Sequence, residues 1–213
     1  MNCVYCGRPV NQVDVGRALM LPGKPVVCRI CKQSAIYQDH EAKPIVEQVG
    51  GWLQTQGFQF GGVTLDVQLM ESLRLAKYNS GQIPGNILGV TLKQSIPCYG
   101  GIIVRRVLGI GLLWGLPRDL LAGVAAHELG HAWLFVNKID QLEPWCEEGF
   151  CNLLSYLWYS QHQTQDGVIQ MSNLKVNPDP VYGAGFRRIF NILQRRKLTE
   201  LIHYLEVNHA LPS

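Results

Sequence analysis

The chain has 213 residues, 47% of them apolar, enough to bury a sizeable core and to form one full domain plus a small appendage. Its net charge of +3 is too mild for a nucleic-acid-binding face, because the densest basic positions, Arg187, Arg188, Arg195, Arg196 and Lys197, sit at helical spacing and read as a solvated surface. No apolar run reaches the roughly 20 residues needed to cross a bilayer, since Arg105-Arg106 and Pro117-Arg118-Asp119 interrupt the longest ones.

Met1-Asn2-Cys3-Val4-Tyr5-Cys6 has neither the basic segment nor the apolar core of a secretory signal, so a cytoplasmic location is expected. Four of the seven cysteines form two pairs, Cys3-x-x-Cys6 and Cys28-x-x-Cys31. Two such knuckles closing on one tetrahedral Zn²⁺ make a ribbon over residues 1–40, with Gly7, Pro9, Pro22, Gly23 and Pro25 supplying its turns. So small a module has too little core of its own, and the metal would supply much of its stability. Four thiolates saturate the ion, so this site is expected to be structural.

The second unit spans residues 41–213. From Glu41 to Gly57, Ile45, Val49, Trp52 and Leu53 recur at helical spacing. Val63–Met70, Ile87–Leu92 and Gly101–Ile110 alternate or are rich in β-branched residues, and they read as sheet strands. Pro117 and Asp119 suit a helix start, which predicts a helix from about residue 118 to Asn137. Pro144 opens another, Trp145 to about His162; a loop holding Asn177-Pro178-Asp179-Pro180 follows, and then helices over Gly183–Arg196 and Thr199 to about His209. Strands first and helices after them predict an α+β domain behind an N-terminal zinc ribbon.

The helix after Pro117 carries His127-Glu128-Leu129-Gly130-His131. Residues four apart share a helix face, so His127 and His131 can reach one Zn²⁺ while Glu128 points at its open side. A catalytic zinc needs a third protein ligand and an open position for water. Glu143, Glu147, Glu148 and His162 all follow at distances a returning helix could bridge.

Glu147-Glu148-Gly149-Phe150-Cys151 resembles the Asn-Glu-Gly-Phe-Ala segment of the gluzincin peptidases, and the resemblance selects Glu148 as the third zinc ligand. Gly115-Leu116-Pro117, Ala126 to Trp133, Glu147 to Cys151 and Tyr182-Gly183-x-Gly185-Phe186-Arg187 are closer still to the peptidase domain of the plant LIM-domain proteins that limit organ growth. The ribbon matches their LIM-like segment. Such proteins are described as ubiquitin-activated peptidases, but ubiquitin control is not expected here, because no segment before the ribbon could be a ubiquitin-interacting helix. Val181-Tyr182-x-x-Gly185 resembles the segment that gives gluzincin aminopeptidases a tyrosine stabilising their transition state, which makes Tyr182 the candidate for that role. Asn152, where related gluzincins often have Asp, is a candidate partner for a ligand histidine. Glu147 reads as a solvated carboxylate or as such a partner, and Cys146 and Cys151 as small core residues.

Together these features predict a zinc peptidase with one catalytic and one structural Zn²⁺, acting on a protein or peptide substrate with Glu128 as general base. Gluzincin aminopeptidases carry an acid on the strand before the zinc helix; Ile102-Ile103-Val104-Arg105-Arg106-Val107-Leu108, taken as that edge strand, has none, which favours an endopeptidase. Neither a membrane nor a nucleic acid is an expected partner, and the ribbon is a candidate docking surface for another protein. Two other readings compete: a DNA-associated protease of the SprT-like kind, whose ribbon normally follows the catalytic part, and a non-catalytic zinc-stabilised adaptor, against which an intact Glu128 argues.

Overall fold

The computed structural model describes residues 1–10, 26–61, 65–78, 87–139 and 141–212. The predicted ribbon turns at Pro22, Gly23 and Pro25 and the first two residues of the predicted strand at 63–70 lie outside them. Among the described residues the chain has three strands and eight α-helices, an α+β arrangement with a four-cysteine cluster at its N-terminus. In order these are α1 (Arg29–Gln33), α2 (Asp39–Thr55), β1 (Asp66–Met70), α3 (Ser72–Tyr78), β2 (Gly89–Pro97), β3 (Ile103–Leu113), α4 (Arg118–Val136), α5 (Pro144–His162), α6 (Gln165–Val176), α7 (Tyr182–Leu193) and α8 (Leu198–Asn208). No helix among the described residues is long and apolar enough to cross a membrane.

The sheet order is β1-β3-β2, with β1 parallel and β2 antiparallel to β3. Of the stretch 102–108, expected as the edge strand, residues 103–108 belong to β3, which takes the middle place in that order, although they pair on one side only, with β2. β3 pairs with β2 along Ile103–Leu112 and with β1 along Gly109–Leu113, and its last five residues are buried on both faces, as a central strand requires. The outer strand beside the helices is β2, Gly89-Val90-Thr91-Leu92-Lys93-Gln94-Ser95-Ile96-Pro97, whose register shifts between Leu92 and Lys93.

Helix α4 is buried on nearly every side because it packs at once on the sheet, on α2 and on α5. Its apolar run has little amphipathic bias for that reason. Beneath it, Phe58, Trp133 and Phe150 pack edge-on or tilted, with centroids 5.2 to 6.2 Å apart. Two close approaches hold the helices. Cys151 of α5 lies against the bare backbone of Gly130, where a Cβ would come within 2.9 Å of its sulfur. Gly149 of α5 meets Gly185 of α7 so closely that a Cβ on either would collide with backbone.

The ribbon is continuous with this core. Cys3, Tyr5, Cys6, Cys28 and Cys31 belong to the same buried apolar cluster as the helices. Ile36 N donates to Leu116 O at 2.9 Å and Arg118 N to Ser34 O at 2.8 Å, so the stretch leaving the second knuckle caps the start of α4. Helix α6 takes up the first part of the stretch after His162 that the sequence predicts to be a loop. Thr164 caps it, accepting from Gly167 N at 2.9 Å, but Gly167 and irregularly spaced apolar residues blur its period.

Candidate metal centres and cleft

His127 and His131 project from α4 toward α5, and Glu148, in the first turns of α5, faces them. His127 Nε2 lies 3.1 Å from His131 Nε2 and 3.1 Å from Glu148 Oε2; His131 Nε2 is 3.6 Å from that oxygen. Ligands of a tetrahedral ion with bonds near 2.0–2.1 Å stand about 3.3 Å apart, so the three atoms fit a single Zn²⁺. Glu148 Oε2 is buried and makes no hydrogen bond, although both imidazole nitrogens are close. An acceptor so placed is suited to a cation.

The far side of each imidazole is held. His127 Nδ1 donates to Asn152 Oδ1 at 3.0 Å, an orientation set by the Asn152 amide donating to Tyr182 O at 3.1 Å. His131 Nδ1 lies 2.8 Å from Glu147 Oε1. Both contacts place the Nδ1 proton outward and leave an Nε2 lone pair for a metal. Glu147 therefore lies against His131 and not in open solvent.

Charges in the cluster follow from these contacts. Burial opposes ionisation of Glu148, yet the two imidazoles hold it well below the usual carboxylate range. Hydrogen bonding to His131 does the same for Glu147. Burial also opposes charge on His131, but Cys151, Glu147 and Glu148 raise its pKa well above the ordinary imidazole value.

Cys151 is a core residue with an unanticipated neighbour. Its sulfur and the two imidazoles form a group whose donor atoms all lie within 4.8 Å of one another. Glu148 Oε2, 3.1 and 3.6 Å from the two rings and without a hydrogen bond of its own, is the better third donor, while the sulfur packs on Gly130. Of the other third-ligand candidates, Glu143 accepts from the Trp145 indole at 2.7 Å, and His162 lies at the far end of α5, its Nδ1 3.0 Å from Trp158 O.

Glu128 points the other way, toward β2, and is only 6% exposed. The Thr91 hydroxyl is 2.7 Å from its main-chain oxygen and 2.8 Å from Oε2, and a Cβ on Gly89 would press against the same side chain. Strand β2 thus fixes the Glu128 rotamer. Thr91 carries no motif, and only strand pairing brings it to the site.

A cleft of about 920 Å³ opens over these groups, bounded by β2 on one side and α6 on the other, and Tyr182, at the start of α7, also lines it. Asp179 Oδ1 accepts from Val181 N and Tyr182 N, each at 2.8 Å, and so shapes the turn that presents Tyr182.

At the ribbon, Cys3, Cys6, Cys28 and Cys31 are all buried, their sulfurs within 4.8 Å of one another and those of Cys6 and Cys28 3.6 Å apart. Tetrahedral thiolates at bonds of about 2.3 Å would stand about 3.8 Å apart, so the group can hold Zn²⁺. Backbone N–H groups of Cys28 and Cys31 already point at Cys3 and Cys28 sulfur, at 3.2 and 3.5 Å. The Cys31 thiol lowers the Cys3 pKa to about 4, whereas that contact and burial drive Cys31 upward.

A family model described as DA1-like, Protein DA1, matches residues 102–173, the stretch that holds His127, Glu128, His131, Glu147 and Glu148. Among curated proteins, the chain is 45% identical to Protein DA1-related 2 of Arabidopsis thaliana over 61 residues, 29% of this chain and 12% of that one. It is 24% identical to Protein DA1 of the same plant over 165 residues, covering 64% and 30%. To the LIM domain-containing protein HDR3 of Oryza sativa subsp. japonica it is 46% identical over 58 residues, covering 26% and 12%. The chain thus spans less than a third of the length of these relatives. No solved structure matches it.

Proposed function

We propose that the chain is a zinc-dependent peptidase of the gluzincin type, an endopeptidase acting on protein or peptide substrates. One observation carries this reading: three donor atoms converge within 3.1 to 3.6 Å in a cleft that a separate buried carboxylate, Glu128, also lines. A purely structural metal site has no use for that carboxylate. The match of residues 102–173 to the DA1-like model adds support, since it covers His127, Glu128, His131 and Glu148.

His127, His131 and Glu148 would hold the zinc. When bound, Zn²⁺ acidifies a water and polarises the substrate carbonyl. Glu128, held by Thr91, takes the proton of the attacking water and later delivers it to the leaving amine. Tyr182, whose phenol can donate without adding charge, stabilises the developing oxyanion. The outer edge of β2 has no strand partner among the described residues, and an extended substrate pairs there, antiparallel to β2. No residue of β2 is acidic, so nothing on that strand anchors a free amino terminus.

The test is Glu128→Gln together with Glu148→Gln. Glu128→Gln keeps two zinc ions per chain and loses at least about a hundredfold in cleavage of blocked peptides. Glu148→Gln keeps one ion. Normal turnover by Glu128→Gln would sink the assignment, and rapid hydrolysis of free-amino dipeptides but not of blocked peptides would convert it to an aminopeptidase.

A further inference from the structure

The ribbon grips the rest of the molecule at two places, on two different helices that both line the cleft. Its first knuckle holds α6: Gln170 donates through Nε2 to Tyr5 O at 2.6 Å, and Arg8 pairs with Asp166 at 2.6 Å. The stretch after its second knuckle caps α4 through Ser34 and Ile36. Helix α4 carries His127, Glu128 and His131, whereas α6 contributes Gln170, Asn173 and Leu174 to the cleft lining. The first knuckle contains Cys3 and Cys6, and the second Cys28 and Cys31. A metal bound by all four ties the part that grips α6 to the part that grips α4.

Gln170 is the unusual member of this linkage. It is 8% exposed, on a helix whose burial is otherwise modest, and its oxygen accepts from Asn173 on the same wall at 3.3 Å. A buried amide is costly unless both ends are paired. Here one end is satisfied by the ribbon and the other by a neighbour that lines the cleft.

We propose that the four-cysteine module is a strut of the cleft, and that Gln170 is the positioning residue through which its metal loading sets substrate affinity. The part concerning substrate rests on the peptidase reading; the part concerning α6 does not. Metal loss at the ribbon releases α6 from α4 and loosens the wall, while the donors on α4 and α5 stay in place. The module then acts as a zinc-responsive control on binding.

The experiment compares the full-length wild type with Gln170→Leu and Cys28→Ser. Three quantities are measured: zinc per chain, amide hydrogen exchange over residues 165–176 and 118–136, and KM and kcat on a blocked peptide. Cys28→Ser is expected to lose one zinc, and both variants to exchange roughly tenfold faster over 165–176 with 118–136 unchanged. KM rises several-fold while kcat stays near wild type. If Cys28→Ser does not fold, Gln170→Leu, which keeps both metals, decides alone. Wild-type protection of 165–176 in Gln170→Leu overturns the proposal, as does an equal rise across both segments. If the wild type cleaves no peptide, the peptidase reading falls and the exchange data still decide the role of the strut.

Discussion

Glu128 is a buried carboxylate and Glu148 a half-buried one, and their surroundings give them different work. Glu148 faces two imidazoles and is held ionised; Glu128 faces a neutral hydroxyl. Thr91→Val removes that hydroxyl and frees the rotamer, so kcat on a blocked peptide should fall about tenfold. Thr91→Ser should restore it, and equal kcat in the valine and serine variants would show that the bond does not position Glu128. The proton on His131 gives a second test. Its raised pKa contributes stability to the metal-free chain that is complete below about pH 6.5 and lost as pH rises above it. Zinc must displace that proton, so the rise in Tm on adding Zn²⁺ should be larger at pH 8 than at pH 6. Glu147→Gln weakens the hold on His131 and should reduce zinc affinity about 10- to 100-fold in a competition titration.

At the scale of elements, the centre depends on how closely α5 approaches α4 and α7. Gly149 follows Glu148 directly, and its contact with Gly185 sets both the position of Glu148 and the start of α7 at Tyr182. Gly149→Ala should cost about 1–3 kcal/mol, seen as a Tm lower by several degrees. A variant with unchanged Tm would mean that the helices can move apart freely. The long helices were legible because their apolar runs, Pro starts and His127–His131 spacing are local signals. The edge strand was not. Chain order made 102–108 the natural strand beside the cleft, but β3 holds the middle place in the sheet order and β2 is the strand that lines the cleft. Helix α6 escaped for the opposite reason: its packing against α5 and the ribbon, not its own periodicity, stabilises it.

For the molecule as a whole, the consequential contact is between its first ten residues and α6. Arg8 and Asp166 are 158 positions apart and meet at 2.6 Å. Neither carries a motif. Charge reversal of one, Asp166→Arg, should lower Tm, and the double reversal with Arg8→Asp should recover part of the loss in a thermal melt; no recovery would mean the pair contributes nothing by itself.

The sequence alone determined the candidate donors, two Cys-x-x-Cys pairs and two histidines one helical turn apart, and the carboxylate between those histidines, because spacing within one knuckle or one helix is fixed by local geometry. The choice of Glu148 among four candidates needed a resemblance, and the fold then set it 3.1 and 3.6 Å from the imidazoles. Only the tertiary structure decided that Glu147 backs His131, that Thr91 holds Glu128 and that the ribbon reaches the wall of the cleft through Gln170. Those contacts join residues on separate elements, and their pairing follows from how helices and strands pack and not from any period along the chain.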